Sequence, residues 1–347
     1  MSLASIILAA GEGTRMKSKM PKVLHRVAGK TMVEHVMDAA AKVGSDRTIL
    51  VVGSGKSAVE AALEGREIFY AHQTERLGTG HAVSIALDAL SDETHVLILC
   101  ADTPLLSPET LKALVEHHEA TGAGCTVLTA ELEVPFGYGR ILRDSDGSVL
   151  GIVEEKDASP EEKRIREINS GVYVARRETL LAEIPRIKND NAQKEYYLTD
   201  LVKLARESGS KVSAYKTSDA VEISGVNSRV QLSECEALMR QRINKALMLE
   251  GVTMIDPGSV YVDADVVIGR DTVIYPGCIL EKGTVIGEDC EIGPNARLKR
   301  CRIGNGVTFK DSTGVESTVG NDSTVGPYAY LRPGTVLGQR VKVGDFV

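Results

Sequence analysis

Two hydrophobic periods divide the chain. From Ala4 to about Tyr215, short β-branched runs (SIILAA, RTILVV, HVLILC, CTVLTA, GVYVA) alternate with stretches of helical period, TMVEHVMDAAAKV, HAVSIALDAL and SPETLKALVEHHEA among them. Apolar runs separated by amphipathic helices predict an α/β fold whose sheet is largely parallel and covered on both faces. From Ile268 the period becomes six: large apolar residues recur at Ile268, Ile274, Leu280, Ile286, Ile292 and Leu298, then at Ile303, Phe309 and Val315, then at Val319, Val325, Leu331, Leu337 and Val343. Two residues before each stands a small or β-branched residue, such as Thr272, Cys278, Thr284, Cys290, Cys301, Thr313 or Ser317. Such hexads stack into a parallel β-helix around a shared apolar column. Between the two patterns, NSRVQLSECEALMRQRINKALMLEG reads as one helix with Leu238, Ile243 and Leu247 on its apolar stripe, stopped by Gly251. The expected organisation is residues 1–227, a linker helix over 228–251, and a β-helix over 252–347.

Composition adds exclusions. At 347 residues and 43% hydrophobic content the chain has ample material for buried cores. Its apolar runs are too short to span a bilayer and its first residues carry no signal-like segment, so a soluble cytoplasmic protein without membrane insertion is expected. A formal charge of −7, no Trp and 4% aromatics argue against a nucleic-acid partner. The six cysteines stand singly without a CxxC pair, which points to neither a zinc site nor a disulfide framework, and Cys278, Cys290 and Cys301 fall at coil-packing positions.

Candidate chemistry begins in LAAGEGTRMKSKMPK. Gly11 and Gly13 are not followed by Gly-Lys-Ser/Thr, and Met16 stands where a dinucleotide fingerprint needs glycine. What remains is the physics common to both loops: glycines let backbone N–H groups approach an anion, and Arg15 and Lys22 can neutralise it. Alone, the stretch also reads as an ordinary turn with solvated cations. Asp102 closes the run HVLILCAD, and ligands of open α/β sheets bind beyond the carboxyl ends of strands. A carboxylate beside bound phosphates calls for a hard divalent cation between them, although Asp102 alone is equally a turn residue before Thr103 and Pro104. The histidines at 25, 81, 117 and 118 have no Cys or Asp in ligand spacing and attract no role.

The segments LAAGEGTRMKSKMPKVLHRVAGKTM, QTERLGTGHA, LCADTPLL, GYGRI, GIVEEKDAS, EINSGVY, NAQKEYYLTD and SGVNSRVQLS follow one another in this order. In them the chain resembles, over essentially its whole length, the bacterial bifunctional family of N-acetylglucosamine-1-phosphate uridyltransferases and glucosamine-1-phosphate N-acetyltransferases. The resemblance implies a Rossmann-like nucleotidyltransferase domain with a mixed, mainly parallel sheet, then a left-handed β-helix that forms a homotrimer. It implies Mg²⁺-dependent synthesis of UDP-N-acetylglucosamine from UTP and N-acetylglucosamine 1-phosphate, for cell-wall and lipopolysaccharide precursors. Residue by residue, it assigns Mg²⁺ to Asp102 and Asn227, and the triphosphate and leaving pyrophosphate to Arg15 and Lys22. The uridine falls to Leu8, Ala9, Ala10, Gly11, Gln73, Gly78 and Thr79, and the amino sugar to Gly139, Glu154, Asn169 and Thr199. Without the family, Asn227 reads as a helix N-cap before Ser228, and Glu154 as a solvated acid at a strand end.

Two departures qualify the likeness. Ala101 stands where the family usually has glycine before the metal-binding Asp, and its methyl is expected to be tolerated. After LRPGTVLGQRVKVGDFV the family continues into coils that carry the acetyl-transfer base, so loss of acetyl transfer is expected, with Arg332 as a remnant of that site's sugar-phosphate contact. Two other readings stay open here: another sugar-1-phosphate nucleotidyltransferase, adenylyl or thymidylyl, and a non-catalytic β-helix scaffold.

Overall fold

The structure, a computed structural model, describes residues 2–347. It divides into two compact units, residues 2–25 with 31–231, and residues 26–30 with 232–347.

The first unit is built on β1 (Leu3–Leu8), followed after a short hairpin, β2 (Arg26–Val27) and β3 (Lys30–Thr31), by β4 (Ser45–Val52), β5 (Phe69–His72), β6 (His95–Cys100) and β7 (Cys125–Glu131). Then come β8 (Arg140–Arg143), β9 (Val149–Val153), β10 (Glu167–Arg176) and β11 (Val212–Lys216). The sheet order is β11-β7-β10-β6-β1-β4-β5, with β8 and β9 as a hairpin joined to β10. β10 pairs antiparallel with β6, β7 and β8, and β8 with β9, while the other pairings are parallel, so the sheet is mixed and mainly parallel. Alternate residues of the central strands feed two cores. The α-helices of this unit are α1 (Met32–Lys42), α2 (Lys56–Ala62), α3 (Thr79–Ala86), α4 (Pro108–Thr121), α5 (Arg177–Glu183) and α6 (Asp200–Glu207). Ile7, Leu50, Leu97 and Leu99 pack with α1 and α4, while Ile6, Ile49, Val51, Val96 and Ile98 pack with α3 and α6. Burial on both faces is why these strands read as unbroken apolar runs.

In the second unit each short strand from Thr253–Met254 to Thr324–Val325 pairs in parallel with the strand three further on, giving three stacked sheets that form the faces of a left-handed parallel β-helix. The column residues Ile274, Leu280, Ile292, Leu298, Phe309 and Val325 are fully buried, and Cys278, Cys290 and Cys301 pack inside the coils. One expectation fails. The strand Thr313–Val315 buries its middle residue, and Gly314 is the one in register with Leu298 and Leu331. The column therefore contains Gly314 instead of Val315, and the inward small residue is Ser312 instead of Thr313. Cβ on Gly314 would lie 3.1 Å from Leu298 Cδ2 and 3.2 Å from Cys301 Sγ, so neighbouring side chains already fill the space a column residue occupies elsewhere. Residues 26–30 dock in this unit: Ala28 N donates to Glu236 Oε2 at 2.7 Å and Ala28 O accepts from Ala264 N at 2.9 Å.

Candidate active site

Parallel register places the site. Leu8 pairs with Cys100, so β1 and β6 leave the sheet at one edge. Ala9 N then donates to Val51 O and Ala101 N to Leu8 O, which fixes the two exits beside each other. Leu8, Ala9, Ala10, Gly11, Lys22, Gln73, Gly78, Thr79 and Asp102 line one cleft of about 270 Å³. Ala101 contributes nothing to that wall. Its methyl is fully buried in the core on one face of the sheet, which explains how alanine is accommodated there.

The glycines act by steric exclusion. Gly13 has φ of +63°, and a Cβ there would stand 2.5 Å from Lys22 Cβ. Gly78 has φ of +108°, and a Cβ would stand 2.5 Å from Tyr196 O. Gly80 N donates to that same carbonyl at 2.7 Å, while Thr79 Oγ1 accepts from Leu198 N. Gln73 is buried with Nε2 donating to Gly78 O at 3.1 Å and facing His81 Nδ1 at 3.2 Å. Its Oε1 has no partner among the described residues. His81, without a role in the sequence reading, thus helps orient Gln73.

Lys22 is 9% exposed, and its ammonium stands between Asp102 Oδ2 at 2.5 Å and Asn227 Oδ1 at 3.1 Å. Val226 N donates to Asp102 O at 2.8 Å and holds the two segments together. Asn227 is not the helix cap. Ser228 Oγ accepts from Gln231 N while Gln231 Oε1 accepts from Asn227 N, so Ser228 caps α7 (Arg229–Leu249) and the Asn227 side chain turns toward Asp102. The pair of hard oxygens already holds one cation, the Lys22 ammonium, and suits a divalent ion. Among the described residues no cluster of three or more His, Cys, Asp or Glu could hold a metal. A divalent ion on Asp102 and Asn227 would therefore complete its shell from phosphate oxygens and water.

Arg15 lies outside the cleft wall, exposed on a short 3₁₀ turn, Thr14–Met16, with no ion pair to another described residue. Gly139, Glu154, Asn169 and Thr199 form a neighbouring group. Asn169 N donates to Gly139 O at 2.9 Å, and a Cβ on Gly139 would lie 3.5 Å from Glu154 Cδ. Glu154 is not a solvated acid: burial raises its carboxyl above the ordinary range, partly offset by the Thr199 hydroxyl. Arg332 is exposed on the β-helix of the second unit. The cleft also includes Arg76, Cys100 and Glu195, which the motif reading passed over. Arg76 belongs to QTERLGTGHA and pairs with Glu12 of the glycine loop, a contact across 64 positions that spacing does not reveal.

Residues 5–219 match the family model of the MobA-like NTP transferase domain, and residues 249–347 that of the GMPPB C-terminal domain. The chain is 51% identical over 347 residues to bifunctional protein GlmU of Clostridioides difficile, covering 100% of this chain and 75% of that protein. It is 54% identical over 335 residues to bifunctional protein GlmU of Caldanaerobacter subterraneus subsp. tengcongensis, covering 96% and 73%. The chain belongs to the GlmU family. Solved structures share the fold of the first unit: a UDP-glucose pyrophosphorylase complexed with UDP-glucose has a TM-score of 0.57 at 18% identity, covering 70% of this chain and 100% of that one. A putative glucose-1-phosphate thymidylyltransferase from Bacillus anthracis has a TM-score of 0.54 at 18% identity, covering 68% and 95%. Nucleotidyltransferases of the GlmU family work with a divalent metal on nucleotide-sugar substrates. No helix among the described residues is long and apolar enough to cross a membrane.

Proposed function

We propose that the first unit transfers a uridylyl group from UTP to N-acetylglucosamine 1-phosphate with Mg²⁺, giving UDP-N-acetylglucosamine and pyrophosphate. The observation that carries this reading is the Lys22–Asp102–Asn227 cluster at a cleft walled by Leu8 to Gly11, Gln73 and Gly78 to Thr79. The acceptor is a phosphate monoester with a second pKa of about 6, so at neutral pH it is largely dianionic and needs no general base. One of its oxygens bonds to the α-phosphorus of UTP while the bond from that phosphorus to the bridging oxygen of pyrophosphate breaks. Catalysis of such transfers is mainly positioning and charge neutralisation.

Asp102 and Asn227 would hold Mg²⁺, which when bound would supply charge neutralisation for the phosphate oxygens. Lys22 and Arg15 neutralise the triphosphate and the leaving pyrophosphate. Gln73, with Nε2 already engaged, presents Oε1 to the uracil N3–H. Glu154 and Thr199 face the sugar hydroxyls, and Gly139 and Asn169 the acetamido group. A pyrophosphate-release assay across four nucleoside triphosphates and the 1-phosphates of N-acetylglucosamine, glucosamine and glucose tests this. UTP with N-acetylglucosamine 1-phosphate should give the highest kcat/KM, and equal turnover of ATP or dTTP with glucose 1-phosphate would overturn it.

A further inference from the structure

Arg140 is 2% exposed, a buried guanidinium to which the mechanism above gives no task. Its Nη2 donates to Glu155 Oε2 at 2.7 Å, its Nη1 donates to the Tyr138 carbonyl, and its Nε is buried without a partner. Glu155 Oε2 also accepts from Gly137 N at 3.2 Å. Both peptide planes around Gly139 are thereby fixed, the Tyr138 carbonyl by Arg140 and the Gly139 carbonyl by Asn169 N. In a planar trans peptide the N–H points opposite the carbonyl, so Gly139 N–H is turned away from Arg140. It has no partner among the described residues. Arg140 and Glu155 also frame Glu154, since Arg140 opens β8 opposite Val153, the residue just before Glu154.

We propose that Arg140 is a positioning residue for the acceptor: through Glu155 and the Tyr138 carbonyl it sets the Gly139 peptide and the Glu154 carboxyl against which the sugar docks. This rests on the reading that Gly139, Glu154 and Asn169 hold the sugar. A buried ion pair is weak evidence for a stabilising role, because replacing one by packed apolar groups is often neutral. Its value here is geometric. The guanidinium bonds a carboxylate and a carbonyl from one rigid plane, which a lysine ammonium cannot reproduce.

The test compares Arg140→Lys, Glu155→Gln and Glu154→Gln by steady-state kinetics with each substrate varied. Arg140→Lys and Glu155→Gln should raise KM for N-acetylglucosamine 1-phosphate about 10- to 100-fold, the cost of one or two charge-assisted hydrogen bonds, and leave KM for UTP within about twofold. The preference over glucose 1-phosphate should narrow in both. Equal changes in the two KM values, or a lowered Tm with both KM values intact, would overturn the proposal. Should Arg140→Lys fail to fold, the near-isosteric Glu155→Gln decides alone. If Glu154→Gln leaves the sugar KM unchanged, the sugar-site reading fails; if it raises that KM while the other two variants do not, only the positioning role fails.

Discussion

On the proposed reading, a divalent ion on Asp102 and Asn227 would compete with the Lys22 ammonium for the same two oxygens, Asp102 Oδ2 and Asn227 Oδ1. Competition for a shared site lowers the apparent affinity of each competitor. Lys22→Met is therefore expected to tighten Mn²⁺ binding to nucleotide-free protein, read by the loss of the free-ion signal in electron paramagnetic resonance, while lowering kcat. Asp102→Asn should abolish that binding and reduce kcat about 10²- to 10³-fold without unfolding the protein, as removal of one electrostatic group from a preorganised site does. Unchanged Mn²⁺ affinity in Lys22→Met would mean that Lys22 does not stand in the metal's place. Glu154 supplies a pH dependence. Burial raises its carboxyl, the neighbouring Asp157 and Asp200 add to the rise, and Thr199 and Arg140 oppose it. The carboxylate accepts from sugar hydroxyls through both oxygens and more strongly than the neutral acid, so affinity for UDP-N-acetylglucosamine should fall as pH drops, starting above the ordinary carboxylate range. The product carries no monoester phosphate titrating in that window, and calorimetry in Glu154→Gln should lose this limb; the same limb in wild type and variant would remove Glu154 from the sugar. The residue types of the site were legible because GxGxR, QTERLGTG and CAD are local in the chain. Contacts such as Lys22 to Asp102, 80 positions apart, were not, because only the parallel register of β1 and β6 brings them together.

At the scale of elements, local pattern succeeded where burial is one-sided and slipped where two choices fit equally well. Spacing matches the column except in the run between Phe309 and Val319, ten residues that spacing divides as six and four, and that the fold divides as five and five through Gly314. A valine next to a glycine looks like the column residue, but a full coil already closes around Leu298, Cys301 and Ser317 without one. Gly314→Val, which puts a large residue at the true column position, should overpack the coil and cost about 1–3 kcal/mol, read as a lower urea midpoint of the β-helix. A wild-type midpoint would return Val315 to the column. The start of α7 shows the same ambiguity: Asn and Ser are both good caps, and the side-chain bond of Ser228 to Gln231 N decides between them and leaves Asn227 Oδ1 to accept from Lys22 beside Asp102.

At the scale of the whole molecule, spacing fixes that successive coils stack, but neither their hand nor how many chains associate, because a hexad describes only what faces inward. The outward residues carry that second message. Tyr261 pairs in register with Ile279 and Val267 with Val285, each between 38% and 58% exposed, and in the next coil the same ladders continue as Arg297 and Arg302. The two ladders turn apolar again at Tyr330 and Val336, 52% and 75% exposed, and we propose that these outward apolar positions face another chain in a homotrimer through the β-helix. Light scattering at micromolar concentration should then give a mass of three chains. Replacing Val267 and Val285 together by Glu places two carboxylates per chain in the covered face, where unpaired charge is costly, and should reduce the mass to one chain. Neither residue belongs to the cleft of the first unit, so kcat for UTP and N-acetylglucosamine 1-phosphate should be retained in that monomer. A monomeric wild type would refute the assembly. A trimer that survives the double substitution would move the contact to another face, and lost turnover in a folded monomer would mean that the first unit depends on association.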